Sequence, residues 1–245
     1  MSDPTDGLGG DTIKQRVSGF DWPQATGDLD AHGHTLLKGL LSPRECQLLI
    51  ELYDQDELFR SRVVMQRHGF GRGEYKYFGY PLVSLIAELR AALYPHFAPV
   101  ANRWNQALRI GIRYPLTLAD FLARCHAAGQ PRPTPLLLRY GHDDYNCLHQ
   151  DVYGEHSFPL QATILLSRPR DDYTGGEFVL TEQRPRMQSR ADVVPLDQGD
   201  AVIFAVRHRP VPGKRGFYRV NMRHGVSRIR TGNRYATGII FHDAL

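Results

Sequence analysis

His149 and Asp151 stand one residue apart in Asn146-Cys147-Leu148-His149-Gln150-Asp151-Val152-Tyr153. If that segment is a strand, residues two apart point to the same face, so an imidazole and a carboxylate project together. Such a pair can grip one side of a divalent ion, and a third ligand must come from elsewhere in the chain. Val220-Asn221-Met222-Arg223-His224-Gly225-Val226 offers His224 at the end of a later predicted strand. Two imidazoles and one carboxylate on one face of a metal leave three positions open, a donor set suited to a ferrous ion that must bind further ligands. Arg234 lies ten residues beyond His224, at the start of the final predicted strand. A guanidinium there can hold an anionic co-substrate through paired hydrogen bonds beside the metal. A solvent-facing or core position is the commoner fate of any single His, and a surface position of any single Arg. The reading therefore rests on the four residues together.

The elements that must position these groups change character along the chain. Residues 1–30, rich in Gly, Asp and Ser with no sustained apolar period, read as a disordered arm, with structure beginning near His34. In Leu40-Leu41-Ser42-Pro43-Arg44-Glu45, Ser42 can cap a helix, Pro43 suits its first position and Glu45 completes a capping box. Further helices are predicted over Pro81–Tyr94, Pro99–Leu108 and Thr117–Ala127, so residues 31–134 form a helical support region. Within it, 59–80 interleaves Arg60, Arg62, Arg67 and Arg72 with Phe70, Tyr75, Tyr77 and Phe78 around a Gly-rich turn. This is either a twisted hairpin packing its aromatics inward or a substrate lid offering cations and stacking rings.

From Pro135 the apolar period shortens. Leu136–Tyr140, Cys147–Tyr153, Leu160–Leu166, Glu177–Thr181, Asp192–Pro195, Ala201–Val206, Tyr218–His224 and Tyr235–His242 read as eight strands separated by turn signals. Short strands at regular spacing imply a sandwich, jelly roll or barrel over 135–245, and the whole chain reads as α+β.

Bulk composition limits the alternatives. At 245 residues and 42% hydrophobic, the chain can bury a real core. Its three cysteines, Cys46, Cys125 and Cys147, are widely spaced and odd in number, against a disulfide framework or a thiolate zinc cluster. No apolar run approaches the roughly 20 residues that span a bilayer. Met1–Asp11 lacks the basic-then-apolar pattern of a secretory signal, so no membrane partner and a cytoplasmic setting are expected. A net charge of +4, carried by arginine much more than lysine, permits a polyanionic partner without requiring one. Oligomeric state is not readable.

Ordered motifs surround the candidate ligands. Tyr140 precedes His149-Gln150-Asp151. Thr174-Gly175-Gly176-Glu177-Phe178 follows, then Gln198-Gly199-Asp200-Ala201-Val202-Ile203-Phe204, and finally His224-Gly225-Val226 with Gly232 and Arg234. In this order the segment from about Pro135 to Asp243 resembles the catalytic domain of Fe(II)/2-oxoglutarate-dependent dioxygenases, particularly the prolyl-4-hydroxylase-like branch. The resemblance implies a double-stranded β-helix, a jelly-roll relative. It implies that His149, Asp151 and His224 ligate iron, Arg234 binds the distal carboxylate of 2-oxoglutarate, and Tyr140 donates a hydroxyl to it. Thr237 is a further helper for that carboxylate. Gly175, Gly176 and Asp200 would shape turns. His142, His156, His208 and His242 match no ligand position. The implied cofactors are Fe(II), 2-oxoglutarate as co-substrate, dioxygen and a possible ascorbate requirement. The implied chemistry is oxidative decarboxylation to succinate coupled to hydroxylation of a substrate C–H bond.

Two substrate classes compete. Arg139-Tyr140 through Asp151, with the Tyr-rich stretch Glu74-Tyr75-Lys76-Tyr77-Phe78-Gly79-Tyr80, resembles bacterial alkylated-nucleobase demethylases. A basic composition and an aromatic segment suit a flipped base, and oxidative demethylation in DNA or RNA repair is the preferred reading. The spacing of Arg234 from His224 and the Gly-Gly-Glu-Phe turn are instead prolyl-hydroxylase-like. Ile239-Ile240-Phe241 stands where the nucleobase family carries a second arginine. A protein residue or a small molecule therefore remains an alternative substrate, and an iron-free binding module is a third class.

Overall fold

The computed structural model describes residues 12–151 and 154–245. Its first half runs α1 (Ile13–Ser18), α2 (Trp22–His32), β1 (His34–Leu37), α3 (Pro43–Glu51), β2 (Phe59–Val64), β3 (Gly71–Arg72), β4 (Glu74–Phe78), α4 (Ser84–Ala107) and α5 (Leu118–Ala127). The second half is all strand: β5 (Leu136–Tyr140), β6 (Tyr145–His149), β7 (Leu160–Leu165), β8 (Tyr173–Gly175), β9 (Phe178–Gln183) and β10 (Arg190–Val194). It closes with β11 (Ala201–Ala205), β12 (His208–Gly213), β13 (Gly216–Val226), β14 (Ile229–Gly232) and β15 (Arg234–Ile239). The larger sheet has the order β1-β11-β7-β15-β5-β4-β2, and the smaller β10-β9-β13-β6-β3 with β12 beside β13. All the named strand pairs are antiparallel. The expected α+β class with N-terminal helices is what the chain adopts. No helix among the described residues is long and apolar enough to cross a membrane.

Four expectations need correction. The first concerns the disordered arm. Residues 1–11 lie outside the described residues, but 12–30 are helical. Thr12 caps α1 in a capping box with Gln15, Asp21 caps α2, and each helix buries one i, i+4 pair, Ile13 with Val17 and Ala25 with Leu29. Two apolar residues per helix are too few to register as a period, yet they dock on α4, where the Trp22 ring stacks on His96 at 3.8 Å.

The second is the split of α4. Pro95 and Pro99 both lie inside one continuous helix. A helical proline forfeits a backbone hydrogen bond. One buried face running through Leu85, Ile86, Leu89, Leu93, Phe97, Val100 and Trp104 outweighs that loss.

Third, β6 ends at His149, so Asp151 sits just past the strand, and Val152 and Tyr153 lie outside the described residues. Fourth, β1, β8, β12 and β14 were not expected, and β1 joins the larger sheet beside β11 from within the region read as helical. β8 and β14 are short and pair only with each other, while β12 is Pro-rich at the sheet edge.

Segment 59–80 is a hairpin built into the larger sheet, since β2 pairs with β4 and β4 with β5. Alternation along β4 sends Glu74, Lys76 and Phe78 to one side and Tyr75 and Tyr77 to the other. Asp200 shapes the turn before β11 as expected, its carboxylate accepting from the Gly39 amide at 2.8 Å and from Asp197 at 3.0 Å.

Candidate active site

One cavity of about 180 Å³ is lined by inward residues of both sheets. The smaller sheet brings His224 and His149 into direct register across β13 and β6. Gly225 permits this approach, because a Cβ there would lie 2.7 Å from the Asn146 carbonyl oxygen. Asp151 reaches the same point from beyond the end of β6. Its Oδ1 lies 3.3 Å from His149 Nε2, and its Oδ2 lies 3.3 Å from His224 Nε2. One ligand atom from each of the three residues falls within 4.8 Å of the others, a cluster that can hold a metal ion.

The imidazoles are oriented for that purpose. His149 Nδ1 lies 2.8 Å from the Cys147 carbonyl. Donation there keeps a proton on Nδ1, so that once Nε2 gives up its own proton its lone pair faces the cluster. The His224 ring is buried and packed 4.5 Å from the Phe204 ring. Burial lowers the His224 pKa, favouring the neutral form a metal requires. Burial would raise Asp151, but hydrogen bonds from His149 and His224 outweigh it and hold the carboxyl well below the usual range. Burial likewise opposes charge on His149, where Asp151 outweighs it and raises the pKa. Two rings thus converge on one half-buried carboxylate, and a divalent cation satisfies all three groups at once.

Gln161 on β7 completes the cluster. Its amide nitrogen donates to Asp151 Oδ2 at 2.8 Å and stands 3.3 Å from His224 Nε2. The sequence reading missed this residue. The available signal was the pair Gln161 and Thr163, polar at i and i+2 in the otherwise apolar Leu160–Leu165 and both lining the cavity.

Farther into the cavity, Arg234 and Tyr140 are cross-strand partners on β15 and β5, so their side chains share the inner face. Arg234 is only 1% exposed, and its guanidinium sits 5.6 Å from the Tyr140 ring centre and 6.0 Å from that of Tyr173. Gly176, at φ 66°, lets the β8–β9 turn pack on it, since a Cβ there would lie 3.0 Å from Arg234 Cδ. Arg234 Nε and the Tyr140 hydroxyl are buried without hydrogen-bond partners. A buried cation beside an unused donor is costly unless an anion completes it, so these residues fit a small carboxylate. Burial raises the Tyr140 pKa, with Arg234 opposing, so the phenol keeps its proton and can donate.

Tyr75, Tyr77 and Phe70 line the same cavity, with Phe70 42% exposed. The predicted ligands and Arg234 and Tyr140 are therefore gathered in one place. Thr237 is not: it faces the other side of β15 and donates to the Leu136 carbonyl at 3.0 Å. His142 is exposed, His156 and His208 are half-buried, and His242 accepts the Phe158 amide at 3.2 Å; none joins the cluster.

Comparison with known proteins agrees with this geometry. Residues 73–244 match the model of a family described as "Oxygenase, catalysing oxidative methylation of damaged DNA". An uncharacterised protein of Mycobacterium tuberculosis is 54% identical over 164 residues, covering 67% of this chain and 70% of its own length. Among solved structures, a Pseudomonas putida prolyl-4-hydroxylase aligns with TM-score 0.52 at 13% identity, covering 91% of this chain and 99% of its own. A Trichoplax adhaerens prolyl hydroxylase, solved with a peptide fragment of hypoxia inducible factor, aligns with TM-score 0.54 at 15% identity over 97% and 94%. These last two likenesses speak for the fold alone. The family match spans most of the chain and contains the whole His149–Asp151–His224 cluster, so the chain belongs to this oxygenase family and is a 2-oxoglutarate-dependent non-haem iron oxygenase.

Proposed function

We propose that this oxygenase removes alkyl groups from damaged nucleobases, with His149, Asp151 and His224 holding Fe(II) and Arg234 and Tyr140 holding the distal carboxylate of 2-oxoglutarate. The observation that carries the reading is one cavity containing the His/Asp/His cluster, the buried Arg234 and an aromatic wall of Tyr75 and Tyr77. The description of the matched family, which names damaged DNA, supports the substrate class. We read the two facing sheets as the double-stranded β-helix that the motif order implies.

When bound, iron with 2-oxoglutarate and dioxygen supplies the oxidising power for C–H hydroxylation, releasing succinate and carbon dioxide. This chain's residues do the rest. Arg234 provides paired donors to a carboxylate in a site shielded from water, where such contacts are strong. The Tyr140 hydroxyl adds a neutral donor, and Gln161 fixes the orientation of Asp151. Tyr75 and Tyr77 offer ring faces on which a flat base can stack, which orients an N-alkyl group toward the cluster. Hydroxylation of an N-methyl carbon gives a hemiaminal. Its C–N bond breaks as the hydroxyl proton leaves, the base nitrogen takes a proton, and formaldehyde departs.

The test is incubation with methylated single-stranded DNA, Fe(II) and 2-oxoglutarate, with and without ascorbate, reading formaldehyde and succinate. Equimolar formaldehyde is expected from the wild type and none from Asp151→Ala. Formaldehyde at the wild-type rate from Asp151→Ala would defeat the ligand assignment. Hydroxylation of a protein residue is favoured by the ten-residue spacing from His224 to Arg234. A peptide gaining one oxygen, with no formaldehyde from DNA, would establish that reading instead.

A further inference from the structure

A second concavity lies outside the cavity, between the C-terminal end of α4 and the start of β13. Arg103 and Arg109 stand on one wall and Arg215, Phe217 and Arg219 on the other, around about 910 Å³. All four arginines are exposed. Arg103 is tied to Asp30 at 2.8 Å, while no carboxylate among the described residues lies in salt-bridge range of the other three. Phe217 is 55% exposed beside them, a large ring that the core does not use. Positive charge is dense enough to act on a neighbour: burial, then Arg207 and Arg219, hold the His208 imidazole down at about 4.

This groove is linked to the candidate active site through residues that also line a third, smaller concavity. It shares Leu108 with a smaller concavity lined by Arg207 and His208. That concavity includes Asp151, which also lines the cavity holding the cluster. Gln150 anchors the junction, donating to the Arg207 carbonyl at 3.2 Å and to the Met222 carbonyl at 2.8 Å. Along β13, Arg219 and His224 are five residues apart and so stand on opposite faces: the groove lies on the outer face of the strand whose inner face carries the cluster.

We propose that this arginine groove binds the phosphate backbone of a single-stranded nucleic acid, on the outer face of the smaller sheet and away from the base that enters the cavity. The proposal rests on the nucleobase reading for its substrate, but the groove can be tested by binding alone. Guanidinium groups match phosphate oxygens, and an exposed ring among them offers a stacking face that an acidic protein segment would not need.

The probe is an unmodified fluorescent single-stranded 12-mer, with anisotropy read across a salt series for the wild type, Arg215→Glu/Arg219→Glu and, from the opposite wall, Arg109→Glu. The wild type should bind with strong salt dependence. Arg215→Glu/Arg219→Glu should bind at least tenfold more weakly, and its slope of log K against log salt should fall by about 1.4, roughly 0.7 per lost phosphate contact. Arg109→Glu should weaken binding in the same sense. Substrate-free conversion of 2-oxoglutarate to succinate should stay at the wild-type rate in all three proteins, which certifies their folding. Unchanged affinity and slope in both variants would overturn the proposal, as would no oligonucleotide binding by the wild type. Tighter binding of polyglutamate than of the oligonucleotide would also overturn it, in favour of an acidic protein partner. Failure of the nucleobase reading looks different: DNA binding that depends on the arginines, but no formaldehyde from methylated DNA.

Discussion

Gln161 is a side chain whose loss should be felt at the metal rather than in the fold. Its amide nitrogen donates to Asp151 Oδ2 and stands against His224 Nε2, bracing the carboxylate. Removing such an outer partner lowers metal affinity about 10- to 100-fold. Gln161→Ala should therefore bind Co(II), a spectroscopic substitute for Fe(II), that much more weakly, with an unfolding midpoint close to wild type. Equal Co(II) affinity in the two proteins would mean that Asp151 needs no help. Arg234 offers a complementary case. Arg234→Ala should raise the KM for 2-oxoglutarate at least tenfold, and Arg234→Lys should recover only part of the loss, because an ammonium cannot reproduce a paired guanidinium contact. A KM unchanged in Arg234→Ala would place the co-substrate elsewhere. That His149, Asp151, His224 and Arg234 would gather was legible in the sequence because their types are chemically restrictive and each pair, His149 with Asp151 and His224 with Arg234, is closely spaced. Gln161 was not, since a glutamine in an apolar strand becomes meaningful only when its neighbours in space are known. Thr237 shows the opposite limit: proximity in sequence to Arg234 counts for nothing when strand parity sends it to the other face.

Among the elements, β4 decides which rings face the cavity. Tyr75 and Tyr77 point into the cavity because the opposite side of the strand is locked by charge. Glu74 accepts from the Tyr53 hydroxyl at 2.9 Å and from Arg62 Nε at 2.8 Å, and it also pairs with Arg139. Two residues on, Lys76 Nζ donates to the Tyr53 carbonyl at 2.6 Å and to Asp56 at 2.6 Å. Burial would raise the Glu74 pKa, but Arg62, Tyr53 and Arg139 outweigh it and hold it below the usual value. Glu74→Ala should cost on the order of 2–3 kcal/mol in urea unfolding, somewhat less than for a fully buried pair because Arg62 is largely exposed. A loss below about 0.5 kcal/mol, the range of surface substitutions away from such contacts, would mean that the cluster does not fix the strand. The alternation of Glu-Tyr-Lys-Tyr-Phe was visible in the sequence, but which face was inside was not, because a buried Glu and Lys invert the usual polarity. The capped start of α3 was fully legible at Ser42-Pro43-Arg44-Glu45, since capping is local. Continuity of α4 through Pro95 and Pro99 was not, because the packing that offsets the prolines is tertiary.

At the scale of the whole molecule, the chain's last residues are clamped beneath the sheets, and that clamp should make stability depend on pH. Arg90 donates to the carbonyls of Ile240, Phe241 and His242 at 2.9–3.0 Å and to the Asp243 carboxylate at 2.7 Å, joining α4 to the segment after β15. His242 lies inside this junction, 2% exposed, with Nδ1 accepting the Phe158 amide. Burial, reinforced by Arg90, pushes its pKa from 6.5 down to about 4. Above pH 6.5 the imidazole is neutral in folded and unfolded chains alike and contributes nothing to the pH dependence. As pH falls below 6.5 the unfolded chain takes up a proton that the folded chain refuses, so stability drains away until about pH 4 and then levels off. A shift from 6.5 to about 4 corresponds to about 3 kcal/mol at its full extent. His242→Asn keeps an acceptor for the Phe158 amide and removes the titration. Urea unfolding at pH 8 and pH 5 should therefore show a smaller acid loss for His242→Asn than for wild type, the gap widening as pH falls from 6.5. Carboxylates held low by their partners, such as Glu45 and Glu182, lose their contribution only below about 4.5. The window between 4.5 and 6.5 is thus the one in which the two proteins must differ. Parallel stability curves across that window would show that the clamp opens enough to let His242 protonate in the folded state.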